Sequence, residues 1–266
     1  MADRVYLFQD TMMLMPVEAS LGIPLSGIDL SIQFVDIPPL LPHEPSIKIG
    51  DMPPDAVLPE GWRSTPVRQV VSSIDGREAD RVMRAFHIVQ WRRESIYCGS
   101  CGNKNIDSQT ETSRICPHCG RVEYPRIAPA IIALITNDKD EILLAHNAKF
   151  RAGVYSLIAG FNEAGESLEQ TVEREIWEEV GLKVSAVCYK ISQSWPFPCS
   201  LMTGWTARYV SGALRPDGIE IQEAHWFKRD RLPELPGKGS VARQLINRWR
   251  SGTPAGNVYG SVYGSV

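Results

Sequence analysis

The segment GFNEAGESLEQTVEREIWEEVGL, residues 160–182, places the tightest constraint on what this chain can become. Glu166, Glu169, Glu173, Glu175, Glu178 and Glu179 crowd negative charge along one short helix. Like charges three and four residues apart destabilise a helix unless something positive sits against them. Ser167, with Gln170 three residues later, supplies a capping box that starts the helix, and Gly181 suits its end. Leu168, Val172, Ile176 and Val180 recur every four residues, an apolar stripe expected to pack on a sheet. Beside the stripe lie Glu175, Glu178 and Glu179, and Arg174 is placed to orient a carboxylate. A solvated acidic face is the plainer meaning of such a run. Hard cations are the alternative: they take carboxylate oxygens, keep positions open for water and phosphate, and activate water for attack at phosphorus.

A second constraint lies upstream, in YCGSCGNKNIDSQTETSRICPHCGRVEYP. Cys98 and Cys101 form one CxxC pair and Cys116 and Cys119 another, each followed by a glycine. Two such knuckles predict a closed tetrahedral Zn²⁺ site, structural because four thiolates leave no position for water. The residues between the pairs suffice for a hairpin, and His118 is read as a spacer. The other two of six cysteines, Cys188 and Cys199, read as ordinary small residues. His43, His87, His146 and His225 lack partners at ligand spacing and read as structural.

The rest bounds the problem. At 266 residues, 43% hydrophobic and 22% charged, the chain has the composition of a soluble globular protein of one large or a few small domains. A net charge of −3 argues against a strongly basic nucleic-acid surface. The longest apolar run, IAPAIIALI at 127–135, is too short to span a bilayer and reads as a buried strand. No basic leader precedes an apolar stretch at the start, so the cytoplasm is the expected compartment, with no membrane partner. Residues 1–75 are broken by prolines and favour short strands and loops over helices. Residues 77–95 predict a helix, with Val82, Phe86 and Val89 on one face. From 126 the pattern is α/β: strands at IAPAIIALITND, EILLAH, VYSLIAGF, KVSAVCYKISQSW and SLMTGWTARYVSG, the acidic helix, and a closing helix in KGSVARQLINRWRSG. The expected partition is an N-terminal domain at 1–95, a ribbon at 96–125, a catalytic domain at 126–255 and a YGSV tail at 256–266.

Gly160, Glu166, Arg174, Glu175, Ile176, Glu178, Glu179, Gly181 and Leu182 fill every specified position of the Nudix box, so the chain resembles Nudix hydrolases. The resemblance implies an α/β/α sandwich around a mixed sheet and cleavage of a nucleoside diphosphate linked to another group. It implies Mg²⁺ or Mn²⁺ held by Glu175 and Glu179, a base or further ligand in Glu178, and support from Glu166. SQSWPFPCS, residues 192–200, resembles the SQPWPFPxS array of the NADH pyrophosphatase subfamily, with Ser194 where that pattern has proline. The ribbon, LMTGW and a weaker PVRQV at 66–70 match the same subfamily. By this match Glu220 is a further metal ligand, with Glu223 nearby. Substrate contacts fall to Tyr124, Ala159, Phe161, Gln193, Ser194, Trp195, Pro196, Phe197, Pro198, Cys199, Ser200 and Ala242. The resemblance further implies hydrolysis of NADH or NAD⁺ to nicotinamide mononucleotide and AMP, removal of NAD caps from RNA 5′ ends, and a homodimer. The rivals are a Nudix enzyme for another dinucleotide or a nucleoside diphosphate sugar, and a zinc-ribbon binding module with a dead Nudix fold.

Overall fold

A computed structural model describes residues 4–17, 34–39, 46–58, 60–74 and 76–252, with Ile32 and Glu44 besides. His43 and the 256–266 tail lie outside the described residues. The chain divides into two compact units, Met1–Arg126 and Ile127–Val266. Among the described residues no helix is long and apolar enough to cross a membrane.

In the first unit, strands β1 (Arg4–Gln9), β2 (Met12–Pro16), β3 (Phe34–Ile37), β4 (Ile47–Asp51) and β5 (Trp62–Pro66) form a sheet in the order β3-β4-β1-β2-β5. The strands and prolines were expected; helix α1 (Val67–Ser73) corrects the expectation of loops over helices there. Val67, Val70 and Val71 are buried at i, i+3 and i+4, a helical spacing that spans too few residues to be read against the prolines before it. Helix α2 (Gly76–Glu94) runs where periodicity placed it, with Val82, Phe86 and Val89 buried and the Phe86 ring 5.5 Å from that of Phe8. Three short strands follow, β6 (Ile106–Asp107), β7 (Arg114–Ile115) and β8 (Val122–Glu123), the first two forming the expected hairpin between the cysteine pairs. This ribbon is tied to α2 by Arg92, whose two terminal nitrogens donate to the Asp107 carboxylate at 2.6 and 2.9 Å, and by Asn105 donating to Ser95 O at 3.0 Å.

The second unit is a mixed sheet in the order β12-β13-β9-β10-β14, with β11 also paired to β9. Its strands are β9 (Ala128–Thr136), β10 (Ile142–Asn147), β11 (Ile158–Phe161), β12 (Lys183–Trp195), β13 (Ser200–Ser211) and β14 (Ile221–Phe227). The β13–β9 pair is parallel; β12–β13, β10–β14 and β11–β9 are antiparallel. Helix α3 (Leu168–Val180) packs Val172, Ile176 and Val180 against Ile131, Ala133 and Ile135 on one face. Helix α4 (Val241–Ser251) packs Val241, Ala242, Leu245 and Ile246 against Ile132 and Leu134 on the other. Alternate β9 side chains therefore enter opposite cores, which is why this strand reads as a continuous apolar run rather than alternating. Strand β14 was not expected from its sequence: IQEAHWF alternates, but two of its polar residues, Gln222 and Glu223, are adjacent and blur the period.

Candidate active site

The four cysteine sulfurs of the ribbon lie within 4.8 Å of one another, with Cys98 Sγ 3.6 Å from Cys119 Sγ and Cys101 Sγ 3.4 Å from Cys116 Sγ. Two equivalent turns bring them there. Gly102 N donates to Cys98 O and Gly120 N to Cys116 O, both at 2.9 Å, and both glycines are left-handed, with φ of 73° and 76°. The N–H of Asn103 draws the Cys101 thiol down to about 5. The N–H of Arg121 favours the Cys119 thiolate too, yet the neighbouring sulfurs of Cys101 and Cys116 push that thiol up to about 12. Four sulfurs in this space cannot all ionise unaided, and a soft tetrahedral donor set is what Zn²⁺ takes. The residues fit the ion that the sequence implied.

The acidic helix is built as its sequence directs. The Ser167 side chain accepts from Gln170 N while the Gln170 side chain accepts from Ser167 N, and Gly181 closes the helix in the left-handed region at φ 71°. Inside this frame Arg174 gathers the carboxylates. Its Nε donates to Glu166 Oε1 at 2.6 Å, Nη1 to Glu175 Oε1 at 2.9 Å and to Glu178 Oε2 at 3.0 Å, and Nη2 to Phe161 O at 2.9 Å and Glu166 Oε2 at 3.0 Å. Glu166 also accepts from Thr171 Oγ1 and Glu163 N, and its carboxyl is held down to about 2, first by Arg174. Glu166 thus takes most of the arginine's charge and fixes its plane.

Glu179 is left out of that arrangement. It is 6% exposed, its Oε2 has no hydrogen-bond partner, and burial followed by the charges of Glu175, Glu220 and Asp217 pushes its carboxyl up to about 8. Burial also raises Glu175, against the pull of Arg174. Gly160 makes room for Glu175: a Cβ there would fall 2.0 Å from Glu175 Cδ, so only glycine lets the carboxylate lie across the end of β11. Glu220 completes the group from the turn before β14. Asp217 Oδ1 accepts from the N–H groups of Ile219, Glu220 and Ile221 at 3.0, 3.2 and 2.9 Å and holds that turn. Sequence reading missed Asp217; the Asp-Gly turn signal in PDGIE was the available clue. An orphaned buried carboxylate oxygen on Glu179, the Glu175 carboxylate seated over a glycine and the exposed Glu220 are hard oxygen donors, the kind that divalent cations of the hard class take.

The predicted substrate residues fall in three places. Ala159, on β11, packs in the same core cluster as Ala242 at the start of α4, while Phe161 at the strand's end is 51% exposed. The SQSWPFPCS array closes the hairpin from β12 to β13: the rings of Trp195 and Phe197 meet edge-on with centroids 5.2 Å apart, Pro196 and Ser200 are buried, and Ser194 and Pro198 are exposed. The Phe197–Pro198 peptide is cis, and Cys199 O accepts from Ala128 N at 2.8 Å. Gln193 reaches across to donate to Gly239 O at 2.8 Å, ahead of α4, and leaves its own Oε1 buried without a partner. Tyr124 belongs to the first unit, where its hydroxyl donates to Glu111 Oε1 at 2.9 Å; no motif pointed to Glu111. Of the histidines read as structural, His87 is buried with Nε2 2.8 Å from Arg126 O, and His146 Nδ1 lies 2.8 Å from Val154 O.

This architecture recurs. A NUDIX hydrolase from Nitrosomonas europaea superposes with a TM-score of 0.51 at 24% identity, covering 60% of this chain and 93% of that one. Residues 126–249 match the NUDIX domain, and residues 93–124 match the NADH pyrophosphatase zinc ribbon domain. Fold and box together define a Nudix protein. NAD-capped RNA hydrolase NudC of Pseudomonas aeruginosa is 46% identical over 187 residues, which cover 70% of this chain and 67% of that protein. The namesake from Enterobacter sp. is 44% identical over 207 residues, covering 76% and 80%, and that of Escherichia coli O1:K1 is 47% identical over 180 residues, covering 68% and 69%. The chain belongs to the Nudix family, in the branch of these NudC proteins.

Proposed function

We propose that the chain is a cation-dependent diphosphatase that hydrolyses NADH or NAD⁺ to nicotinamide mononucleotide and AMP and cleaves the same bond in NAD caps at RNA 5′ ends. The observation that carries this reading is the buried Glu179 carboxylate, whose Oε2 has no hydrogen-bond partner and which feels the charges of Glu175 and Glu220, beside an arginine already committed to Glu166. Mg²⁺ or Mn²⁺ held by Glu175, Glu179 and Glu220 would neutralise the diphosphate and acidify water. Arg174 orients Glu175 and Glu178 and keeps them apart from Glu166. Glu178, whose side chain is 57% exposed, takes a proton from the attacking water. The water oxygen joins phosphorus while the bridging P–O bond breaks toward the leaving mononucleotide. Trp195, Phe197 and Phe161 offer ring surfaces to the base and nicotinamide. Gln193, Ser194 and Ser200 offer polar groups, and Ala159, Pro196, Pro198, Cys199 and Ala242 offer shape. The same reading has the chain work as a cytoplasmic homodimer, on the strength of its family.

The test is product analysis. NADH with Mg²⁺ or Mn²⁺ should yield nicotinamide mononucleotide and AMP, a chelator should stop turnover, and ADP-ribose or a nucleoside diphosphate sugar should be poorer substrates. Trp195→Ala or Phe197→Ala should narrow the preference for NADH over ADP-ribose. A preference that favours the sugar nucleotides, or survives both changes, overturns the substrate assignment.

A further inference from the structure

The turn after β10 carries chemistry that hydrolysis of a free dinucleotide does not use. Its sequence, HNAKFRAG, sets an aromatic residue between two cations, and its backbone is tightly organised. Asn147 Oδ1 accepts from Lys149 N at 2.9 Å, and Phe150 N donates to Asn147 O at 2.9 Å. The turn therefore holds its side chains outward: those of Lys149 and Arg151 are 81% and 73% exposed, and Phe150 is 41% exposed. It is fastened to the rim of the carboxylate cluster. Ala148 N donates to Glu220 O at 2.9 Å, and Lys149 Nζ lies 3.8 Å from Glu220 Oε2. Glu220 is among the charges that raise Glu175 and Glu179.

The Phe150 ring is open to solvent between the two cations, where a planar group can stack on it. The ion pairs Lys149–Glu220 and Arg151–Glu234 are exposed, and such pairs contribute little, so both cations exchange easily for other anions. We propose that Lys149, Phe150 and Arg151 hold the single-stranded polynucleotide attached to a dinucleotide in the active site. The cations meet backbone phosphates and the Phe150 ring stacks on a base, the pairing of charge and ring by which proteins hold single strands. A free dinucleotide has no phosphates beyond its diphosphate and does not engage the turn. The inference rests on the reading that NAD-capped RNA is a substrate.

The experiment compares kcat/KM for NADH and for an NAD-capped single-stranded RNA, in the full chain, across a salt series. Phe150→Ala should lower the value for capped RNA by about ten-fold at every salt concentration, in the range of one lost base stack, and leave NADH unchanged; Phe150→Trp should restore it. Arg151→Ala should lower the capped-RNA value at low salt and flatten its log–log salt slope by about 0.7, the signature of one phosphate contact on a single strand. Equal losses on both substrates, or no loss on either, overturn the inference while leaving the hydrolase intact. A wild-type chain that turns over neither substrate overturns the functional reading, and this inference with it.

Discussion

The chain holds a cysteine cluster and a carboxylate cluster that solve opposite problems. The ribbon draws four identical ligands from residues 98–119 and turns them toward one another, with each knuckle repeating the other's backbone bonds. The acidic site draws unlike contributions from a helix, a strand end and a turn spread over residues 160–220, and leaves one side to solvent. The sulfurs crowd because an ion completes them. The carboxylates are kept distinct: one is neutralised by arginine, one seated over glycine, one buried with an oxygen left unpartnered and two exposed. A closed set stabilises a fold, and an open, graded set does chemistry.

The contrast is broken most easily at the ribbon. Removing zinc, or Cys116→Ser, should cost the first unit on the order of 10 kcal/mol of metal-linked stability. Hydrogen exchange should show protection lost across 98–123 while the sheet of the second unit keeps its own. A Cys116→Ser chain that is stable and zinc-free would make the ribbon no metal site at all.

Next in size is the proposed base. Glu178→Gln keeps shape but takes no proton, and turnover of NADH should fall about 1000-fold, on the order of 4 kcal/mol. Stability in chelator should hold or rise by a few tenths of a kcal/mol as repulsion is relieved. A near wild-type rate would return Glu178 to a solvated face.

These two sites also differ in how they could be read. Cysteine spacing alone specified the ribbon, because ligands and turns are local and repeat. In the acidic helix the capping box, Gly181 and the apolar stripe were equally legible, since each is a short-range preference, and Arg174 was recognised as an orienter. That Arg174 is committed mainly to Glu166, leaving Glu179 alone, was not legible: it depends on side-chain burial by strands distant in sequence. Asp217 was missed for the same reason, acting through a turn rather than a motif. Helix α1 was missed because the i, i+3, i+4 set of Val67, Val70 and Val71 is too short a run to be read as a period, and β14 because its alternation is interrupted. The 192–200 array was picked out by resemblance, and no single-residue property marked Gln193 as the link to the α4 loop.

A third prediction concerns charge. With the folded carboxyl of Glu179 pushed up to about 8, the protonated form favours the fold. Its contribution is therefore present below the unfolded value near 4.5 and lost as pH rises through about 8. Glu175 shifts the same way, whereas Glu166, held down to about 2, adds stability above its unfolded value and loses it as pH falls toward 2. In chelator, thermal stability of the second unit should peak in mildly acidic solution and decline by roughly 2 to 3 kcal/mol toward pH 9. Added Mg²⁺ or Mn²⁺ should reverse the decline, and Glu179→Gln should remove most of it. A flat chelator profile in the wild type would mean Glu179 is not the strained member of the set.

The smallest effect separates two uses of glycine. Gly102 and Gly120 are left-handed, and an added Cβ would meet nothing within 4 Å, so glycine is there for conformation. Gly160 has no such φ, but its Cβ would overlap the Glu175 carboxylate, so glycine is there for space. Gly102→Ala should then cost about 1 kcal/mol of ribbon stability, and Gly102→Asn less, since asparagine tolerates the left-handed region. Gly160→Ala should cost about 1 kcal/mol as well, because the Glu175 side chain can swing aside. The swing displaces an oxygen proposed as a ligand, so cation affinity and NADH turnover should fall at Gly160 and remain untouched at Gly102. Isothermal titration with Mn²⁺ and melting of each variant in chelator measure the two effects separately. If Gly160→Ala binds Mn²⁺ as tightly as wild type, Glu175 does not depend on that cradle and its place among the ligands must be reassigned.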